Sequence, residues 1–417
     1  MRVLSMLVAF VALAIAFVIS ARKRVFASPR KDGKLRLAFL HPNCGDLGGG
    51  ELVLWHMVAT LQERRPDVEI SIVAHADTPS RREVTDAVKQ RFGIAVDPER
   101  IRFVRIKSSR WTQRAFAVAT MLLQTAAAGV VALEALWLQH GLMDMDLVLD
   151  TTGLPGAYPV LALFGVRVAT YTHYPTLSSD MLQRVRQQRR GRVVSVSLLK
   201  LVYYRLFALL YRVCGACVEH CMVNSAWTRD HMRHMWSLGD SALTVLFPPV
   251  DAQELAQFNR ADVNAKRRPL VLSLGQFRPE KDHALQIRAF ARFLRRRQSA
   301  RADAAEEAEE TRPRLALLGG VRNERDRALL SDLREQVESL GLSRSVEFHV
   351  NATFARRNEL LRQARVGVHS MWNEHFGIGV VEMMAAGLIV CAHDSGGPRS
   401  DIVSDARDGF LCGSEEE

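Results

Sequence analysis

Short apolar runs alternate with helix-length amphipathic stretches over most of the chain. Lys34–His41 (KLRLAFLH), Val68–His75 (VEISIVAH) and Val166–His173 (VRVATYTH) predict strands, and Leu147–Asp150 ends another at a turn. Glu51–Arg65 has the length of a helix, and His220–Asn224 leads into a second one over Ser225–Met235, capped by Asn224 or Ser225. The alternation stops at Leu246–Asp251 (LFPPVD), where two prolines prevent both helix and central strand. It restarts beyond, with strands expected at Leu270–Gly275, Leu315–Leu318, Ser345–Val350, Arg365–His369 and Leu388–His393. Strands interleaved with helices predict parallel sheets covered on both faces. The expectation is therefore an α/β chain of two Rossmann-like doubly wound domains, joined near residue 250. Ligands in such sheets lie beyond the carboxyl ends of the strands, so two facing domains would place the site in the cleft between them. Arg295–Arg314 (RRRQSARADAAEEAEETRPR) is biased in composition and reads as a solvated insertion.

Three segments look towards a membrane. Val3–Ile19 carries no charge and is followed by Arg22, Lys23 and Arg24. Its seventeen residues are at the short end of a bilayer span, and basic flanks stay cytosolic. A transmembrane anchor over residues 1–24 is expected, with a cleaved signal peptide as the alternative. Phe116–Trp137 contains no Lys or Arg, but Gln124 and Glu134 interrupt it, so a buried or surface-lying helix competes with a span. Between Asp180 and Glu219 there is no acidic residue, while Arg184, Arg186, Arg189, Arg190, Arg192, Lys200, Arg205 and Arg212 are basic. The part over Val194–Val213 suits either the bilayer interface or a core helix with a basic edge.

The 417 residues, 48% apolar and 24% charged, exclude a disordered or fibrous chain, and six Cys exclude a disulfide-dense scaffold. The formal charge of +11 raises nucleic acid as a partner. Neither zinc-finger spacing nor an aromatic basic platform supports that, and the anchor argues against it.

Three constellations carry candidate chemistry. Gly48, Gly49 and Gly50 precede Glu51 after the first strand. Consecutive glycines allow close backbone approach to a ligand, and the next helix aims its positive end there. A plain tight turn reads equally well. Gly275-Gln276-Phe277-Arg278-Pro279-Glu280-Lys281 follows a strand, and Arg278 and Lys281 could converge on a diphosphate or be a solvated pair. Asn373–Glu382 (NEHFGIGVVE) puts Glu374 in a loop and Glu382 one turn into a helix that begins near Ile378. Gly377 and Gly379 permit close approach to the free amides of that helix start. The two carboxylates look like acceptors for sugar and ribose hydroxyls rather than an acid/base pair. Asp144-Met145-Asp146 has the letters of a metal-binding D-x-D but reads as a loop before the Leu147 strand. Cys214, Cys217 and Cys221 lack a fourth ligand of zinc-site form, despite His220 and His231 nearby, and read as buried thiols.

The E-x7-E pair Glu374/Glu382, with Met384-Ala385-Ala386-Gly387 and Ser395-Gly396-Gly397, resembles the retaining GT-B glycosyltransferases of the glycosyltransferase 4 type. HPNCGDLGGGELVLW, THYPTLSSDML, NSAWT, FPPVD, SLGQFRPEKDHALQIRAF, LLGGVRNERD and HSMWNEHFGIGVVEMMAAG resemble, in order, the dolichol-pathway GDP-mannose-dependent α-1,2-mannosyltransferases. The similarity runs from about Leu35 to the end of the chain.

The resemblance implies a GT-B fold with an acceptor and membrane-facing domain over residues 34–247 and a donor-binding domain over 248–417, the latter without the usual terminal helices. It implies GDP-mannose as donor, a dolichol-diphosphate-linked oligosaccharide as acceptor, membrane lipid as surroundings and no cofactor or metal. It also implies the endoplasmic reticulum membrane with the catalytic domains on the cytosolic face, and a complex with other dolichol-pathway mannosyltransferases. Glu382 maps to the donor ribose, and Glu374 to mannose hydroxyls with the Phe376, Gly377 and Ile378 backbone. Lys281 and Arg278 map to the diphosphate, His173 to the reacting sugar, and Gly48–Gly50 to the donor phosphates and acceptor. Gln276 stands where many relatives have Arg, which puts the role of Arg278 in doubt. A catalytically idle sugar-nucleotide-binding scaffold, or a transferase using another nucleotide sugar, are the alternatives.

Overall fold

The computed structural model describes residues 34–112, 120–138, 141–175, 194–300, 311–414 and 416. The anchor expected over residues 1–24, the arginines Arg184–Arg192 and the middle of the biased insertion lie outside the described residues. The chain divides into two compact units, one of Met1–Asn224 and Thr228–Pro249, the other of Ser225–Trp227 and Val250–Glu417.

Unit 1 is built on a seven-stranded parallel sheet. Its strands are β1 (Arg36–Leu40), β2 (Glu69–His75), β3 (Ile101–Ile106), β4 (Leu147–Asp150), β5 (Arg167–Thr172), β6 (His220–Val223) and β7 (Leu243–Val245), in the spatial order β3-β2-β1-β4-β5-β6-β7. One face packs on α1 (Gly49–Arg64) and α2 (Arg81–Phe92), burying Leu54, Trp55, Val58, Val84 and Val88. Burial of such side chains contributes about 1.5–3 kcal/mol each. Trp55 is buried outright, and its indole N–H donates to the Cys44 carbonyl at 2.9 Å. Ser80 caps α2, accepting from the Glu83 amide, while Glu83 accepts in return from the Ser80 amide.

The other face packs on α3 (Thr120–Trp137), α4 (Ala157–Leu163) and α5 (Val194–Gly215). Small residues decide the inner face of α3: Ala127, Ala128, Val131, Ala132 and Ala135 are buried. A Cβ on Gly129 would stand 3.4 Å from the Gly156 carbonyl, so α3 and the start of α4 approach closely. The outer face of α3 leaves Leu123, Val130, Leu133 and Trp137 exposed. Glu134, which interrupts this apolar stretch, accepts from the Lys107 and Ser108 amides, each at 2.9 Å. On α5, Phe207, Tyr211 and Cys214 are buried, and Tyr211 and Tyr158 pack against Trp236. Cys214, Cys217 and Cys221 are free thiols in this core, and burial pushes Cys214 up to about 12.

Unit 2 holds a six-stranded parallel sheet of β8 (Leu270–Leu274), β9 (Arg314–Gly319), β10 (Val346–Val350), β11 (Val366–His369), β12 (Ile389–His393) and β13 (Phe410–Cys412), ordered β10-β9-β8-β11-β12-β13. It packs on α6 (His283–Ser299), α7 (Glu324–Ser339), α8 (Phe354–Gln363) and α9 (Ile378–Ala385). In each sheet the strand order reverses once, between β1 and β4 and between β8 and β11. Such a reversal opens a crevice at the carboxyl ends of the two strands, because their connections leave to opposite faces.

Candidate active site

The crevice in unit 2 collects most of the residues the motifs point to. Gly275 follows β8, and the chain turns through Pro279–Lys281 into Asp282, which at φ +45° caps α6 by accepting from the Leu285 amide. On the neighbouring strand, Ser370 follows β11 and donates to the carbonyls of Lys281 at 2.8 Å and Asp282 at 3.0 Å, bracing that turn. Gln286 of α6 donates to Ser370 at 2.8 Å.

The Lys281 ammonium is thereby held against the Glu374 carboxylate, and the two form a direct ion pair. The same Glu374 oxygen accepts from His369 Nε2 at 3.0 Å, and the other from the His375 amide at 3.1 Å. Burial pushes Glu374 upward, but the His369 hydrogen bond and the Lys281 charge overcome it and hold the carboxyl far below the usual range. His283, at the start of α6, is pushed down to about 4 by burial and by the Lys281 charge.

The loop carrying Glu374 is fixed by the glycines that follow β12. The Gly397 amide donates to the Glu374 carbonyl at 2.7 Å, and the Asn373 amide to Ser395 Oγ at 2.7 Å. Gly396 has φ +62°, and a Cβ there would fall 2.2 Å from the Glu374 carbonyl oxygen, so only glycine fits. Gly377, at φ +110°, opens α9, whose start carries no side-chain cap among the described residues, which suits its first amides to an oxygen ligand. A Cβ on Gly379 would lie 3.2 Å from the Leu274 carbonyl, which shows how closely that helix start sits on the end of β8.

Glu382, in the second turn of α9, pairs with Arg357 of α8 at 2.6 Å. Burial pushes its carboxyl up, against the pull of the Arg357 charge. Phe376 is buried, and Gln276 is half-buried in the turn after β8. Arg278 does not join the Lys281–Glu374 contact; its nearest carboxylate partner is Glu280 at 3.9 Å.

In unit 1 the corresponding crevice lies between β1 and β4. Gly48 is the extended residue before α1, and its amide donates to Glu51 at 2.6 Å. A Cβ on Gly50 would lie 3.7 Å from His173 Nε2 and 4.0 Å from His41 Cε1, whereas one on Gly49 would meet nothing within 4 Å. His173 follows β5, with its carbonyl accepting from Asn224 at 2.9 Å and its ring edge-on to Tyr171. Gly50 and His173 are thus brought together, with His41 as a neighbour the motif reading did not single out. Asp146 of the D-x-D accepts from the Arg36 amide at 2.8 Å, at the opposite, amino end of the strands. Among the described residues, no group of three or more His, Cys, Asp or Glu is placed to hold a metal ion.

Two doubly wound lobes, each with a polar cluster where its strand order reverses, define a GT-B glycosyltransferase. Solved structures share the fold: Anabaena Alr3699/HepE, solved with UDP and glucose, matches at TM-score 0.57 and 17% identity, covering 92% of this chain and 87% of that one. Sucrose-phosphate synthase from Thermosynechococcus elongatus matches at TM-score 0.61 and 14% identity, covering 91% and 86%. Residues 34–236 match the family model for the ALG11 mannosyltransferase N-terminus, and residues 256–417 that for glycosyl transferases group 1. Relatives named GDP-Man:Man(3)GlcNAc(2)-PP-Dol α-1,2-mannosyltransferase include the Mus musculus protein, 37% identical, with 95% of this chain and 80% of that one covered. The Homo sapiens protein is 36% identical over 95% of this chain and 81% of its own. The Dictyostelium discoideum protein is 35% identical over 94% and 78%. The chain belongs to this family of α-1,2-mannosyltransferases.

Proposed function

We propose that the chain transfers mannose from GDP-mannose to dolichyl-diphosphate-linked Man(3)GlcNAc(2), with retention, forming the α-1,2 linkages of the fourth and fifth mannoses. The observation that carries the site assignment is the Lys281–Glu374 ion pair beside the uncapped start of α9. Lys281, the cation assigned to the diphosphate, and Glu374, the carboxylate assigned to the sugar, neutralise each other. Donor binding exchanges that contact for two others: Lys281 turns to the diphosphate, and Glu374, held by His369, accepts from mannose hydroxyls together with the Phe376–Ile378 backbone. Glu382 accepts from the ribose, and Arg278 and Gln276 lie on the turn beside the phosphates. His173 and Gly48–Gly50 of unit 1 serve the reacting sugar and the phosphates.

Retention without a nucleophilic carboxylate calls for reaction on one face of the sugar, with the leaving phosphate taking the acceptor's proton. The protein's task is then to carry the negative charge growing on the departing GDP. Lys281 and the α9 amides do this in a partly buried site, where such charges count for more than in water.

A dolichol-linked acceptor supports a location at the endoplasmic reticulum membrane, and the basic flank of residues 22–24 supports the cytosolic face. The exposed apolar outer face of α3, continued by Leu163 and by Val202 and Leu209 of α5, suits contact with lipid. A complex with other dolichol-pathway mannosyltransferases fits the same location. Competition among nucleotides for transfer tests the donor: GDP should inhibit strongly and UDP weakly, and the reverse order would overturn the assignment.

A further inference from the structure

The crevice of unit 1 holds a buried hydrogen-bonded network to which the motifs assign no role. His41 is the residue after β1 and Thr151 the residue after β4, on adjacent strands paired Leu40 to Asp150. His41 Nδ1 lies 2.7 Å from Thr151 Oγ1, and its Nε2 lies 3.2 Å from Glu51 Oε1. The second Glu51 oxygen accepts from the Gly48 amide at 2.6 Å. His41 and Thr151 are 2% and 1% exposed.

The chemistry of each partner fixes the roles. Burial pushes Glu51 upward, yet the His41 and Gly48 hydrogen bonds bring its carboxyl below the usual value, so it is ionised and only accepts. His41 Nε2 therefore carries a proton. The Thr151 hydroxyl can donate to a neutral ring or accept from a charged one, so both ring nitrogens are served in either state. Thr151 is itself anchored: the Asp150 carboxylate accepts from the amides of Thr152, Gly153 and Leu154 and from the Tyr158 hydroxyl. Thr152 adds a bond to the Leu40 carbonyl at 2.9 Å. The chain Asp150–Thr151–His41–Glu51–Gly48 thus ties the triple-glycine turn across the crevice to the end of β4. His41 also forms the floor under Gly50, beside His173.

We infer that His41, Glu51 and Thr151 are positioning residues for the transfer reaction, locking the Gly48–Gly50 turn so that the turn and His173 meet the reacting sugar and the acceptor in one geometry. The inference rests on the transferase reading above. These side chains touch no reacting atom; they act through the turn. Their loss should therefore slow turnover far more than it weakens nucleotide binding, most of whose contacts are assigned to unit 2.

The test compares Thr151→Val, which keeps the shape and removes the hydroxyl, with Thr151→Ser, which keeps the hydroxyl, and adds His41→Ala. Transfer from GDP-mannose to the lipid-linked acceptor is measured on the membrane-reconstituted chain, with KM for GDP-mannose and direct GDP binding alongside. Thr151→Val and His41→Ala should lower kcat about 10- to 100-fold, the scale of a misplaced reacting group, with KM and GDP binding little changed. Thr151→Ser should restore most of the turnover. Equal kcat in Thr151→Val and wild type would overturn the inference. So would a loss of GDP binding in parallel with kcat, which marks general unfolding. Should His41→Ala fail to fold, the Thr151 pair decides alone. Absence of transfer by the unaltered chain would instead overturn the transferase reading, and this inference with it.

Discussion

Replacing Lys281 with methionine keeps the bulk of the side chain and removes its charge. The change strands the Glu374 carboxylate, whose side chain is 12% exposed, without its ammonium partner. Removing one member of a fully buried pair typically costs about 3–5 kcal/mol. Glu374 keeps His369 at 3.0 Å and the His375 amide at 3.1 Å, so the expected loss here is smaller, about 2 kcal/mol in unfolding free energy. In the reaction the same ammonium is assigned to the charge on the departing diphosphate. Loss of one such preorganised donor lowers kcat about 100- to 1,000-fold, or about 2.7–4 kcal/mol. The double variant Lys281→Met with Glu374→Gln separates the two roles, because it leaves no unpaired charge in the crevice. Denaturant unfolding of the detergent-solubilised protein should show stability lost in the single variant and largely regained in the double one. Single-turnover transfer should stay low in both. Recovery of transfer in the double variant, or a kcat within threefold of wild type in the single one, would refute the assignment of Lys281 to the leaving group.

Four further outcomes follow from the same geometry. Glu382→Ala should raise the dissociation constant for GDP at least tenfold (about 1.4 kcal/mol or more) and abolish transfer at ordinary donor concentration, by calorimetry and radiolabel transfer respectively. Gly396→Val meets the Glu374 carbonyl at a positive φ, and should destabilise the protein by about 2 kcal/mol or more and remove donor binding with it. His283 must stay neutral in the fold, with its value pushed down to about 4 from an unfolded 6.5. Its contribution is therefore present above pH 6.5 and is lost as pH falls towards 4, about 3 kcal/mol in all. His283→Gln should flatten that slope in denaturant midpoints taken between pH 7 and 4.5. Leu133→Glu with Trp137→Glu, on the exposed face of α3, should weaken vesicle co-sedimentation of the chain without changing its unfolding midpoint.

Most strands that could be read from residue patterns lie inside a sheet, β10 at an edge being the exception. β1, β2, β4, β5 and β8–β12 present apolar runs dense enough to stand out. Of those not read as strands, β3, β7 and β13 lie at a sheet edge, while β6, four residues inside the sheet, reads only as the lead-in to a helix. β3 (IRFVRI) carries two arginines, which suit an open edge but break the apolar run, while β7 and β13 are three residues each. The candidate site was legible where glycines and charges share one short segment, as in Asn373–Glu382. It was not legible where the contact spans the sequence. His369 reads as the end of an apolar strand, and nothing local says that it and Lys281, 93 residues before Glu374, converge on one carboxylate. Arg357 sits in an ordinary basic stretch of a helix, and its pairing with Glu382 follows only from how α8 and α9 pack. Arg278, three residues before Lys281, has Glu280 as its carboxylate neighbour at 3.9 Å, a pairing that adjacency in sequence does not reveal.

The most direct measurement gives the chain, in liposomes, radiolabelled GDP-mannose and dolichyl-diphosphate-linked Man(3)GlcNAc(2), and then sizes and digests the lipid-linked product. Extension by one and two mannoses, both released by an α-1,2-specific mannosidase and both absent with Glu382→Ala, is the expected result. An unextended acceptor with wild-type protein, a β-linked product, or undiminished extension by Glu382→Ala would contradict a donor site built from Lys281, Glu374 and Glu382.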